Sequence, residues 1–271
     1  MTLIANWVAM DDNKGGKQPA SLYLASDSRI TYLDAKGKPL FHEDNMQKIF
    51  ISTSYPEMFA ICGDYNNCVK IIEKLISLID KGDITLSTSS IDEKVVVLKE
   101  YFIKQINILK CKTIVLYGTK VGLKLFLFRL VLANEKVECN QVSLGKTSQV
   151  VSHDGSGEEC FYEEWLRFNE NAKAFNEADT SRGAFRCIYE AINKIEDPYV
   201  GGKMQAAVLY RGYESPRSIG IYYGTDCYLF GKKHVAKAGN NVEYRNSEFE
   251  IVNPETGKIA DGAQRQPFAE R

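Results

Sequence analysis

The chain has 271 residues, 44% hydrophobic and 25% charged, a make-up that suits one large globular domain with a substantial core. Its 34 Lys and Arg against 35 Asp and Glu leave a formal charge of -1, so no overall field draws it to nucleic acid or an anionic membrane. The longest apolar runs, such as Val95-Val96-Val97-Leu98, fall far short of the ~20 residues a spanning helix needs, and the amino end lacks a signal peptide's basic region, which gives cytoplasmic as the expected location.

The stretch Thr2-Leu3-Ile4-Ala5-Asn6-Trp7 is apolar from its start and reads as a buried strand. If Met1 is removed, Thr2 carries a hydroxyl nucleophile and a free α-amine on one residue, and an amine titrating near ~8 can act as its own general base. Polar, glycine-rich turn chemistry from Met10 to Lys17, including Gly15, predicts a long loop before an alternating strand at 21–25. A second polar stretch over 34–39 leads to strands at 46–51 and 58–62, joined by a turn at Tyr55-Pro56-Glu57.

The period then changes from two to 3.6. Val69, Ile72, Leu75, Ile76 and Ile79 share one helical face, and Val95, Leu98, Phe102, Ile106 and Leu109 share another, with a capped start predicted around Ser89 and Ser90. Strands follow at 113–117, 123–132, 136–142 and 149–152. Two more helical faces run through Phe161, Trp165, Phe168, Ala172 and Phe175, and through Phe185, Ile188, Ile192 and Ile195. Strands at 204–210 and 217–223 close the pattern, and the polar text after Gly231 carries one strand-like run at 249–252. Two helical pairs with apolar stripes must each bury against a sheet, which predicts an α+β fold arranged as a four-layer α-β-β-α sandwich over 1–230, with 231–271 as a polar extension.

Most candidate motifs fail. Gly145-Lys146-Thr147 lacks the glycine that a phosphate loop needs at position 140, which is Asn. Glu158, Glu159, Glu163 and Glu164 read as one solvated helix face. The seven cysteines stand singly with no C-x-x-C pair, as buried free thiols would, and His42, His153 and His234 are too far apart in the chain to suggest a metal. No cofactor is expected.

What remains is an ordered set at strand ends: Thr2, Asp27-Ser28-Arg29, Lys48, Gly63, Gly155-Ser156-Gly157 and Asp197-Pro198-Tyr199-Val200-Gly201-Gly202. In this order it resembles the proteasome β-subunit family of N-terminal nucleophile hydrolases, including the bacterial peptidase HslV and the Anbu proteins, the latter through Met1-Thr2 and Ala25-Ser26-Asp27-Ser28-Arg29. The resemblance runs from Thr2 to about Tyr223 and leaves the tail unexplained.

The resemblance implies Thr2 as nucleophile, Lys48 as the ammonium beside its oxygen, and Asp27 as the carboxylate that keeps Lys48 charged and oriented. It also implies the Gly63 N–H as oxyanion donor, and Ser156 and Asp197 as supports of the α-amine. Ile30, Met46, Ile61 and Tyr65 would line the substrate pocket, favouring apolar or aromatic side chains before the scissile bond. Val200 stands where relatives usually carry serine, which removes a hydroxyl from the amine's support.

The implied activity is a threonine-type amidohydrolase acting on peptides or proteins, without nucleic acid, membrane or metal. The alternatives are a ring-forming subunit with little turnover, acting as scaffold, and an amidase for small non-peptide amides. Family membership further implies a homo-oligomeric ring or spiral, and apolar residues such as Ile71 and Leu78 are expected to lie exposed on helix backs as its contact surface. The sequence names no ATPase partner.

Overall fold

In a computed structural model of the protein, residues 2–13, 16–86, 90–174, 177–239 and 241–264 are described. Met1, Gly15, Ser89 and Phe175, which enter the sequence reading, lie outside them. The expected long loop after the first strand is instead strand: β1 (Leu3–Asn13) and β2 (Gly16–Ser26) pair through Asp11↔Gln18 and Asp12↔Lys17. A ladder needs only backbone partners, so polar residues exposed beyond the sheet extend it without apolar alternation.

A hairpin of β3 (Ile30–Leu33) and β4 (Pro39–Glu43) also escaped the sequence reading. β4 is exposed throughout and has no buried face to impose a pattern; a Tyr32–Phe41 stack, centroids 4.4 Å apart, joins the two strands. Next come β5 (Ile49–Ile51) and β6 (Met58–Cys62), then helices α1 (Tyr65–Lys81) and α2 (Ile91–Gln105). β5 starts later than the expected 46–51, because the backbone N–H groups of Lys48 and Ile49 go to the Gln205 side chain.

β7 (Thr113–Val121), β8 (Lys124–Ala133), β9 (Lys136–Val142) and β10 (Gln149–Gly155) lead to α3 (Glu158–Ala174) and α4 (Ser181–Lys194). β11 (Gln205–Tyr210), β12 (Arg217–Tyr223), β13 (Asp226–Leu229), β14 (Lys232–His234) and β15 (Val242–Arg245) complete the described elements. One sheet runs β10-β1-β2-β11-β12-β13-β14, with β15 parallel to β12; the other runs β5-β6-β7-β8-β9.

Alternation along each strand sorts side chains between apolar clusters. Leu3, Ala5 and Trp7 join Phe161, Phe185 and Ile188 from α3 and α4, while Ile4 joins Leu22 and Leu24 against Met58, Ala60 and Leu116 from the second sheet. Phe59, Ile61, Val115 and Tyr117 turn the other way, onto Ile72, Leu75, Leu98 and Phe102 of α1 and α2. Each such side chain removed from water contributes about 1.5–3 kcal/mol. The result is a mixed α+β fold. Ile71 is buried in the α1–α2 cluster and Leu78 packs against it, so the expectation that they lie exposed is corrected; α1 presents a wider apolar stripe than its strongest repeat suggests.

Within 231–252 the chain adds β14 and β15 to the large sheet. The run at 249–252 forms isolated bridges instead of a strand, and Phe249, at φ 61, stacks on Phe185 at 4.6 Å and meets Trp7 edge-on. No described helix is long and apolar enough to cross a membrane.

Candidate active site

Antiparallel pairing of β1 with β2 sets Ile4 opposite Ser26, and so brings Thr2, just before β1, to Asp27, just after β2. Lys48 enters from the other sheet, where its carbonyl accepts the Ile61 N–H at 3.0 Å. Asp27 is fully buried. Its Oδ1 accepts the Thr2 hydroxyl at 2.8 Å, the Leu3 N–H at 3.0 Å and Lys48 Nζ at 2.8 Å. Its Oδ2 accepts the N–H groups of Arg29 at 3.0 Å and Gly201 at 3.1 Å. Five donors thus converge on one carboxylate.

Lys48 Nζ also donates to Thr2 Oγ1, so the hydroxyl donates to the carboxylate while accepting from the ammonium. Burial pushes the Lys48 ammonium below the ordinary lysine range, and Asp27 pulls the other way. An oxygen held this way is stabilised as it gains negative charge.

Thr2 and Lys48 open onto a cavity of about 480 Å³ that Ile30, Ile61, Gly63 and Tyr65 also line. β3 forms one wall through Thr31, Tyr32 and Leu33. Cys62 lies beside them, and burial pushes its thiol up to about 11, which keeps it a thiol rather than a competing nucleophile. Seven cysteines are free, four of them buried.

Gly63 joins β6 to α1 at φ 120, and a Cβ there would meet Lys112 O at 2.5 Å and Thr113 Cα at 2.7 Å. Only glycine fits both the angle and the space. The next residue, Asp64, caps α1 by accepting the Asn67 N–H, so Gly63 stands at the positive end of that helix.

Of the remaining sequence-predicted positions, Met46 spends its backbone on Ser28 and Gln205 and lies outside the cavity lining among the described residues. Ser156 Oγ is buried without a partner among the described residues. Asp197 Oδ1 accepts the Tyr199 N–H at 2.6 Å and its carbonyl accepts the Val200 N–H, which closes a turn. Val200 is buried in the apolar cluster of the large sheet, and a Cβ on Gly157 would meet its Cγ2 at 2.6 Å.

Two contributors were missed. Arg29 forms a two-pronged pair with Asp44 at 2.6 and 2.8 Å and lies over Gly201, where a Cβ would meet Arg29 Cζ at 2.5 Å. Gln205 is a fully buried amide at the start of β11; its one sequence signal is a lone polar residue opening the apolar run at 205–209.

No family model matches the sequence, and a search of curated proteins returns no match. Among solved structures the chain is similar to Anbu (ancestral beta-subunit) from Yersinia bercovieri, at 13% identity over 79% of this chain and 85% of that one, with a TM-score of 0.53. It is also similar to an Anbu (Gly-1) mutant from Hyphomicrobium sp. strain MC1, at 11% identity over 79% and 82%, again with a TM-score of 0.53. At these identities the likeness establishes a proteasome-like fold.

Proposed function

We propose that the chain is a threonine amidohydrolase of the proteasome β-subunit type, most simply a peptidase, in which Thr2 forms an acyl-enzyme once the residue before it is removed. The observation that carries this reading is the Thr2 hydroxyl held between Asp27 and Lys48 at the wall of an apolar cavity. The free α-amine, titrating near ~8, takes the hydroxyl proton as Oγ1 bonds to the amide carbon. The Lys48 ammonium stabilises the oxygen during attack, and the Gly63 N–H receives the oxyanion. The amine then returns the proton to the leaving nitrogen, the C–N bond breaks, and water hydrolyses the resulting ester.

Ile30, Ile61 and Tyr65 receive the apolar side chain before the scissile bond. Ser156 and Asp197 steady the amine. The three apolar clusters support a four-layer α-β-β-α sandwich over 1–230, with 231–271 as an extension tied in by β15 and Phe249. Self-association into a ring or spiral uses the helical layers, where Val96, Ile103, Tyr162 and Leu166 are exposed.

A second reading, a ring subunit with little turnover, is favoured by two observations: Val200 offers no hydroxyl, and Ser156 Oγ has no partner among the described residues. Release of a fluorescent amine from peptides with an aromatic residue before it separates the two. Hydrolysis by the chain starting at Thr2, absent in Thr2→Ala, supports the enzyme; equal background in both supports the scaffold.

A further inference from the structure

We infer that Gln205 is the positioning residue that holds Lys48 and Asp27 in register with Thr2; its catalytic consequence rests on the threonine-hydrolase reading above. Gln205 opens β11 in the large sheet, and its side chain is fully buried. Its Oε1 accepts the backbone N–H groups of Lys48 at 2.9 Å and Ile49 at 3.3 Å. Its Nε2 donates to the carbonyls of Asp27 at 2.9 Å and Met46 at 2.9 Å. An amide side chain has two donors and two lone pairs on its oxygen, so all four capacities are used.

The four backbone groups belong to two different places in the fold. Asp27 lies just after β2 in the large sheet, whereas Lys48 precedes and Ile49 opens β5 in the other. Between the two sheets much of the contact is apolar, through residues such as Leu24, Ile49 and Ala60, and the Arg129–Asp154 pair joins β8 to β10. Gln205 supplies a directional tie where Lys48 must reach Asp27 at 2.8 Å. It also satisfies buried backbone groups that a strand partner would otherwise satisfy.

The chemistry of the side chain is specific. Methionine has the same length but no hydrogen bonds to give; asparagine is one methylene short; glutamate keeps the two acceptor bonds and turns the two donors into oxygens facing the carbonyls of Asp27 and Met46. A displacement of about 1 Å at a reacting pair lowers rate about 100-fold while leaving a remote binding pocket intact.

The test uses the full chain starting at Thr2 and a β-lactone that acylates threonine hydroxyls, followed by intact mass across pH. Gln205→Met is expected to lower the maximal labelling rate about 30- to 100-fold with half-saturation within about twofold, and to move the alkaline limb of the pH profile, which Lys48 sets. A merely structural glutamine would lower the melting temperature and leave rate and profile of the folded protein unchanged, and that result overturns the inference. Gln205→Glu, nearer in shape and keeping two bonds, carries the test if Gln205→Met does not fold; a loss of about tenfold supports the inference and an unchanged rate overturns it. Nitrogen-15 NMR of the Lys48 ammonium separates this inference from the enzyme reading. An unlabelled wild type removes the enzyme reading, while a Lys48 titration that shifts in Gln205→Glu still supports the positioning role and one that stays put overturns it.

Discussion

Two buried lysine–carboxylate pairs sit at opposite ends of the β5–β6 hairpin, and they are built for different ends. Lys48 meets Asp27 at the open end; Lys94 meets Glu57 at 2.6 Å beside the turn. Both lysines are 2% exposed and both carboxylates are fully buried. Lys94 directs its three protons to Glu57, Thr119 Oγ1 at 2.9 Å and the Lys120 carbonyl at 3.2 Å, and the Tyr117 hydroxyl takes the other Glu57 oxygen. That network closes on itself. Among the described residues Lys48 donates to Asp27 and to Thr2 Oγ1, an oxygen facing a cavity. Burial raises the Glu57 carboxyl and lowers the Lys48 ammonium, so desolvation alone does not tell the pairs apart. What distinguishes the pair at the cavity is the third partner.

Substituting each lysine breaks the comparison in opposite directions. Lys48→Ala is expected to slow acylation of Thr2 by on the order of 100-fold or more, read as labelling rate by mass. Lys94→Met should leave the labelling rate of folded protein within about twofold and lower stability by about 3–5 kcal/mol in urea unfolding, because it strands Glu57. Slow labelling in both variants would mean that the two pairs share one role.

A smaller effect comes from the end of the chain. Phe249→Ala removes the ring stacked on Phe185 and meeting Trp7, and about 3 kcal/mol of stability should go with it. Unchanged unfolding would detach 231–264 from the core.

The sequence carried β1 and β6 as apolar runs, buried on both faces, β2 as an alternating run, and the 3.6-residue period of α1 and α4, whose apolar stripes are buried. β3, β4 and β13 to β15 are short or exposed and leave no such pattern. Asp27 and Lys48 stood out through the order of family landmarks and not through any local signal. Glu57–Lys94 stayed invisible, since a lysine in the first turn of an amphipathic helix reads as solvated; the bonds from Gln205 reach up to 178 positions along the chain.

The pH profile sharpens the same contrast. Under the proposed mechanism labelling needs a neutral amine, so its rate is expected to rise with pH through about 8, and a charged Lys48, so it is expected to fall as pH passes the lysine's lowered value. Lys94→Met should keep both limbs, whereas Lys48→Met should lose the alkaline one. Val200→Ser gives the smallest change: a two- to threefold gain in labelling, roughly, if a hydroxyl there supports the amine, with about 1 kcal/mol of stability lost by placing it among apolar groups. A loss of labelling would argue that Val200 packing on Gly157 matters more than the missing hydroxyl.

The most direct test of the central claim is intact mass of the purified chain before and after the β-lactone, beside Thr2→Ala. The expected result is a chain that begins at Thr2 and gains one adduct, which Thr2→Ala does not gain. A chain that begins at Thr2 and takes up no adduct, or an adduct that persists in Thr2→Ala, would contradict it.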